Sequence, residues 1–143
     1  MIQPVFPYVT AATAAVLAVL QMILMLYVAT GRGKFKTGLG DGGHAGLIKR
    51  IRIHGNLAEN APVFLILLAL VETSGQWPGF VTPLALGFII ARLSHALGLT
   101  ISSGPSIFRF VGVMGTLAAM LGLATLLILT LSRNTSWLPL LPH

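Results

Sequence analysis

Hydrophobic positions fall into four long blocks along the chain, separated by short polar connections. Pro4 to Thr30 is almost uninterrupted apolar sequence, and further blocks run from about Leu47 to Thr73, Gly79 to Thr100 and Ser106 to Leu131. At ~1.5 Å per residue each block can cross a ~30 Å hydrocarbon core as a helix. The pattern predicts an all-α membrane protein, a single four-transmembrane-helix bundle over residues 1–143 with spans of about 4–30, 47–73, 79–100 and 106–131. The first block differs from a secretory signal, because no Lys or Arg precedes it and it exceeds the ~7–15 apolar residues of a signal core, so a retained helix is expected.

Composition agrees with the periodicity. Of 143 residues 55% are hydrophobic and 8% charged, and the mean hydropathy is +0.90, too apolar for a soluble domain of this length. The net charge of +6 comes from nine Lys and Arg against Asp41, Glu59 and Glu72. These cations sit mainly between the apolar blocks, where membrane orientation and anionic lipid explain them. No basic face with interleaved aromatics is present, and nucleic acid is not an expected partner. With no cysteine, the chain offers neither a disulfide nor a thiol of its own.

Charge asymmetry orients the bundle. The stretch 31–52 carries Arg32, Lys34, Lys36, Lys49, Arg50 and Arg52, whereas the second connection, SGQWP, has no basic residue. The positive-inside rule therefore places the first connection in the cytoplasm and both termini outside, periplasmic in a bacterium. Arg92 and Arg109 return to the cytoplasmic side, and Trp77 and Trp137 fall at the outer interface.

Polar residues inside the apolar blocks carry the candidate chemistry. In RIHGNLAENAPVF, Arg52, Asn56 and Glu59 stand at i, i+4 and i+7, on one helical face reaching about 10 Å from the cytoplasmic end. Exposed to lipid at the membrane centre, each charge would cost ~2.5–3.5 kcal/mol on the milder insertion scales, so the stripe is expected to face inward. Pro62 predicts a kink beside Glu59. The topology brings Arg32, Arg52, Asn56, Glu59, Arg92, His95 and Arg109 to one half of the bundle. One Glu–Arg pair locking helices together would account for Glu59 and an arginine or two; the remaining positive charge points to an anionic ligand.

Other features have plainer expectations. GLGDGG, residues 38–43, matches the spacing of a dinucleotide loop but follows a membrane helix rather than a strand, so it reads as a flexible turn. Gly112, Gly115, Ala119 and Gly122 form a small-residue stripe for close helix packing, within the chain or between chains. His44, His54 and His95 lack metal-site spacing, and His54 lies off the Arg52 face, toward the interface. Glu72 reads as a solvated helix-end carboxylate, and Met22, Met25, Met114 and Met120 as core filler.

The segment Arg52 to Pro62, R-I-H-G-N-L-A-E-N-A-P, resembles the R-x-H-x-N-x-x-E-N-x-x-P signature on the second helix of the MAPEG family, the membrane-associated proteins in eicosanoid and glutathione metabolism. The match is close to the microsomal glutathione transferase form. Residues 40–43 (GDGG), 51–56 (IRIHGN), 72–75 (ETSG) and 91–98 (ARLSHALG) further resemble the family's uncharacterised bacterial inner-membrane branch. The resemblance implies a homotrimer of four-helix subunits, with glutathione as co-substrate bound between neighbours and open to the cytoplasm. It implies that Arg52, Asn56 and Glu59 contact glutathione, with Arg92 and His95 adding contacts, Arg109 stabilising the thiolate, and Arg32 at the basic end of the first helix.

The residue types suit that ligand: arginines for its carboxylates, Glu59 for its ammonium and Asn56 for its amides. Each unit by which a cation depresses a thiol pKa from the reference of about 8.5 favours thiolate by ~1.4 kcal/mol. The expected activity is a glutathione-dependent membrane transferase or peroxidase acting on small hydrophobic electrophiles or lipid hydroperoxides. Eicosanoid-forming members carry a tyrosine one turn after the His95 position, often an arginine before the asparagine, and a serine after the thiolate-stabilising arginine. This chain has Leu99, Gly55 and Phe110 there, so leukotriene or prostaglandin synthesis is not expected. The alternatives are a non-catalytic lipid- or ligand-binding membrane protein on the same scaffold and, less favoured for want of paired broken helices, an ion-coupled transporter.

Overall fold

A computed structural model of the chain describes residues 6–102 and 104–134. Four helices follow one another: α1 (Tyr8–Phe35), α2 (Ala45–Thr73), α3 (Pro78–Ile101) and α4 (Ile107–Arg133). All four are long and apolar enough to cross a membrane. The expected start at Pro4 and the interfacial Trp137 lie outside the described residues.

The largest departure from the expected spans is at α1, which continues past Thr30 to Phe35. Arg32 and Lys34 sit in its last turn, where cations complement the helix dipole. It ends at Lys36 in the left-handed region (φ 49°), whose N–H reaches back to the carbonyls of Arg32 and Gly33. The glycine-rich connection beyond is tied down rather than free. Arg32 donates to the carbonyls of Gly38 (3.1 Å) and Gly40 (3.0 Å), the Asp41 carboxylate accepts from the Gly43 N–H, and Phe35 stacks on His44. Gly42 and Gly43, at φ 58° and 74°, supply backbone angles that other residues rarely adopt.

The junctions into α3 and α4 are fixed by local devices. Pro78 stands in the first turn of α3, where its missing N–H costs nothing. The Ser106 side chain caps α4 by accepting from the Arg109 N–H. The start of α1 has no cap from its own sequence; Glu72, at the far end of α2, supplies it. Its carboxylate accepts from the N–H groups of Val9 (2.8 Å) and Thr10 (2.7 Å) and from the Thr10 hydroxyl (2.7 Å). Glu72 is thus an interhelical clasp, which corrects the expectation of a solvated helix-end carboxylate. Replacing Glu72 with alanine is expected to cost about 1–2 kcal/mol, the scale of a lost charged N-cap. The loss should register as a lower unfolding temperature in detergent, with glutamine giving a smaller decrease.

The core is built from one face of each helix. Phe64 and Phe88 stack with ring centroids 3.8 Å apart, flanked by Leu17, Leu68, Ala85 and Leu123. The small-residue stripe of α4 packs within the chain, against α3. A Cβ placed on Gly112 would lie 2.5 Å from the Cβ of His95, and one on Gly115 would lie 2.9 Å from that of Ala91. Close backbone approach of this kind is what drives helix association where lipid tails are as apolar as leucine. At the end opposite the basic connection, the Trp77 indole N–H donates to Thr130 and Arg133 covers its ring. Outward-facing Ile66, Ile90, Leu121 and Ile128 are more than half exposed in the single chain, as a lipid-contacting surface requires.

Candidate functional site

The α2 stripe is only partly turned inward. Asn56 is half-buried, whereas Arg52 and Glu59 are exposed on the single chain. The buried stripe of α2 is instead Ile53, Leu57, Phe64, Leu68 and Val71, offset from Arg52 and Asn56 by one residue, about 100° round the helix. The other helices pack on the wholly apolar face and leave the charged one outside. Glu59 and Arg52 have no hydrogen-bond or ion-pair partner among the described residues, so the alternative of a Glu59–arginine pair locking helices together has no support there. α2 continues helically through Pro62, which lines a recess of about 520 Å³ against α1 together with Leu17, Leu57, Ala61 and Leu65.

Arg92 is the centre of the internal polar cluster. It is 4% exposed and ties three helices together. One terminal nitrogen donates to the Asn56 side-chain oxygen (2.9 Å) and to the Asn56 carbonyl (3.4 Å); the other donates to the Gly112 carbonyl (3.0 Å) and to the Thr116 hydroxyl. Its Nε has no hydrogen-bond partner among the described residues, and the guanidinium lies 5.7 Å from the Phe88 ring centroid. All these acceptors are neutral, so among the described residues the positive charge enters the core without a counter-charge. Asn60, one turn after Asn56, extends the cluster by donating to the Asn56 carbonyl at 2.7 Å.

His95, 6% exposed, lines a small closed space with Asn56 and Arg92 on one side. On the other it borders a recess of about 500 Å³ with Arg109, Phe110 and Val113. Arg109 donates to the Gly104 carbonyl (2.9 Å). It also forms one wall of a smaller recess, about 220 Å³, shared with Lys49, Arg52 and Leu99. The structure therefore brings together Asn56, Arg92 and His95 as one group, and Arg52 with Arg109 as a second, His95 and Arg109 meeting at the larger recess. Arg32 belongs to neither group, one of its terminal nitrogens donating to the connecting loop, while Glu59 stands apart on the outer face.

Some polar partners were not foreseen. Thr116 lies one turn after Gly112 in the small-residue stripe, a position from which a hydroxyl can reach the i−4 carbonyl, as it does here at 2.7 Å. Asn60 has the same i+4 relation to Asn56. His54 turns to Gln21 of α1, with 2.8 Å between side-chain nitrogens. Only the packing of α1 on α2 reveals that pair. Among the described residues no group of three His, Asp or Glu side chains comes together as a metal site would require.

A model of the MAPEG family matches residues 10–129, which includes all of these positions. The chain belongs to the MAPEG family. It is also similar to the inner membrane protein YecN of Escherichia coli strain K12, 32% identical over 90 residues that make up 63% of this chain and 69% of that protein. YecN of Escherichia coli O6:H1 matches to the same extent. With its four apolar helices, this MAPEG protein is a multi-pass inner-membrane protein.

Proposed function

We propose that this MAPEG protein is a glutathione-dependent transferase or peroxidase for hydrophobic compounds, assembled as a homotrimer with its basic end in the cytoplasm. The observation that carries the reading is uncompensated positive charge: Arg52, Arg92 and Arg109 converge on one end of the bundle without a carboxylate partner among the described residues. An anion with two carboxylates matches that excess. Glu59, about 10 Å deeper along α2 than Arg52, is exposed and unpaired on the single chain. A carboxylate facing lipid at that depth is costly, whereas a neighbouring copy packed on the face would let Glu59 meet the ammonium of a ligand held between subunits.

In this reading Arg52 and Glu59 grip the ends of glutathione, Asn56 is held in orientation by Arg92, and Arg109 favours the ionised form of a thiol placed beside it. The apolar wall formed by Phe110 and Val113 admits the acceptor. The net transferase reaction converts glutathione and an electrophile R–X into the thioether and HX. Purified protein is expected to turn over a chlorodinitrobenzene-type electrophile or an organic hydroperoxide with glutathione. Arg109→Ala should lower kcat at least tenfold, the scale of a lost electrostatic stabiliser, and Arg52→Ala should chiefly raise the KM for glutathione. Wild-type protein that binds glutathione without turnover would exclude the catalytic reading. It would leave the second, a non-catalytic lipid-binding protein, which is favoured by the almost wholly apolar lining of the 520 Å³ recess between α1 and α2.

A further inference from the structure

The recess shared by Lys49, Arg52 and Arg109 differs in kind from the others. Three cations border it, Lys49 and Arg52 in the second turn of α2 and Arg109 in the first turn of α4, with Ser102 at the end of α3 and no carboxylate. Neither Lys49 nor Arg52 has a hydrogen-bond or ion-pair partner among the described residues. At about 220 Å³ it is smaller than the ~300–1,000 Å³ usual for a whole small-molecule ligand, so it suits a fragment of something larger. Its remaining walls, Ala45, Ile48 and Leu99, are apolar. Across Arg109 lies the roomier recess of Phe110 and Val113. A compact cationic hollow beside an apolar run is complementary to an amphiphile with an anionic head.

The position decides which amphiphile. The hollow lies among helix ends at the basic end of the bundle, which the charge asymmetry places in the cytoplasmic leaflet, at the depth of lipid headgroups. Basic pockets between transmembrane helices on that side bind the phosphates of anionic lipids. We propose that the Lys49–Arg52–Arg109 recess is a binding site for the phosphate of an anionic phospholipid, whose acyl chain passes over Phe110 and Val113. Arg52, Arg109 and the Phe110–Val113 wall also serve the glutathione reading, so the lipid and the glutathione pair are alternative occupants of these groups; Lys49 belongs to this proposal alone and separates the two.

The test uses the full-length protein in nanodiscs of phosphatidylcholine mixed equally with phosphatidylglycerol, with retained lipid counted by native mass spectrometry. Phosphatidylglycerol is expected to be retained selectively over phosphatidylcholine. Selectivity should fall about fivefold in Lys49→Gln, the effect of one basic residue near the surface, and return in Lys49→Arg. Inorganic phosphate should not displace the lipid at millimolar concentration; displacement would identify a free-phosphate site and overturn the lipid assignment. Equal retention of the two lipids, or Lys49→Gln indistinguishable from wild type, would overturn the site itself. Glutathione binding measured in discs of phosphatidylcholine alone reports separately on the proposed enzymatic function.

Discussion

Replacing Arg92 with alanine is expected to destabilise the bundle by about 2–4 kcal/mol, the scale of a buried acceptor left without its donor plus the cavity left by a large side chain. Two effects oppose each other at this residue. Burying a guanidinium without a carboxylate is costly, and its removal relieves that desolvation. Against this, the change leaves the Asn56 side-chain oxygen and the Gly112 carbonyl without their Arg92 donors, and it opens a cavity where the side chain ran past Phe88. The Gly112 carbonyl keeps the Thr116 hydroxyl as a donor, so the Asn56 oxygen carries most of the polar cost, about 1–3 kcal/mol for an acceptor left unsatisfied, and the vacated volume adds to it. The second effect should win, because three helices meet at this one side chain. Methionine fills the space but supplies no donor and should fall between alanine and wild type. Lysine keeps the charge but lacks the planar fork that spans Asn56 and Gly112, and should come nearest to wild type. Thermal unfolding in detergent followed by circular dichroism gives the order. Arg92→Met more stable than wild type would mean that the buried charge is a net burden to the fold.

Gly112→Ala should be nearly as damaging, by about 3 kcal/mol. The new methyl group would stand 2.5 Å from the His95 Cβ and 2.7 Å from that residue's Cα and backbone nitrogen. A flexible side chain could swing away from such a contact, but backbone cannot, so α3 and α4 must separate. Separation also carries the Gly112 carbonyl away from Arg92, coupling the packing defect to the polar cluster. Gly87→Ala in α3 is the matching control, because nothing lies within 4 Å of its Cβ position. It should be neutral or stabilising by up to about 1 kcal/mol. The pair distinguishes a steric requirement from a general intolerance of alanine, and equal unfolding temperatures for the two variants would refute the close approach.

The four helices followed from uninterrupted apolar runs, because a chain with so few charges can satisfy its backbone in lipid only by coiling it. The fixed spacing of Arg52, Asn56 and Glu59 placed them on one face, which helical geometry guarantees. Which way that face turned did not follow, since rotation about the axis of α2 is set by the competing claim of Ile53, Leu57, Phe64 and Leu68 on the core. The role of Glu72 is hidden from the sequence for a related reason. A carboxylate at the end of one helix looks solvent-facing until another helix, 62 residues away in sequence, presents its unsatisfied N–H groups to it.

Sequence alone therefore determined the membrane class, the number of helices and the gathering of basic residues at one end, all of which depend on local composition and on periods of a few residues. Tertiary structure decided that Arg92 is an internal tie held by neutral oxygens, that Glu59 faces outward, that the glycine stripe of α4 serves α3, and that Lys49 shares a hollow with Arg52 and Arg109. Those outcomes depend on the relative rotation and spacing of helices. The packing of whole faces fixes both, and no single segment encodes them.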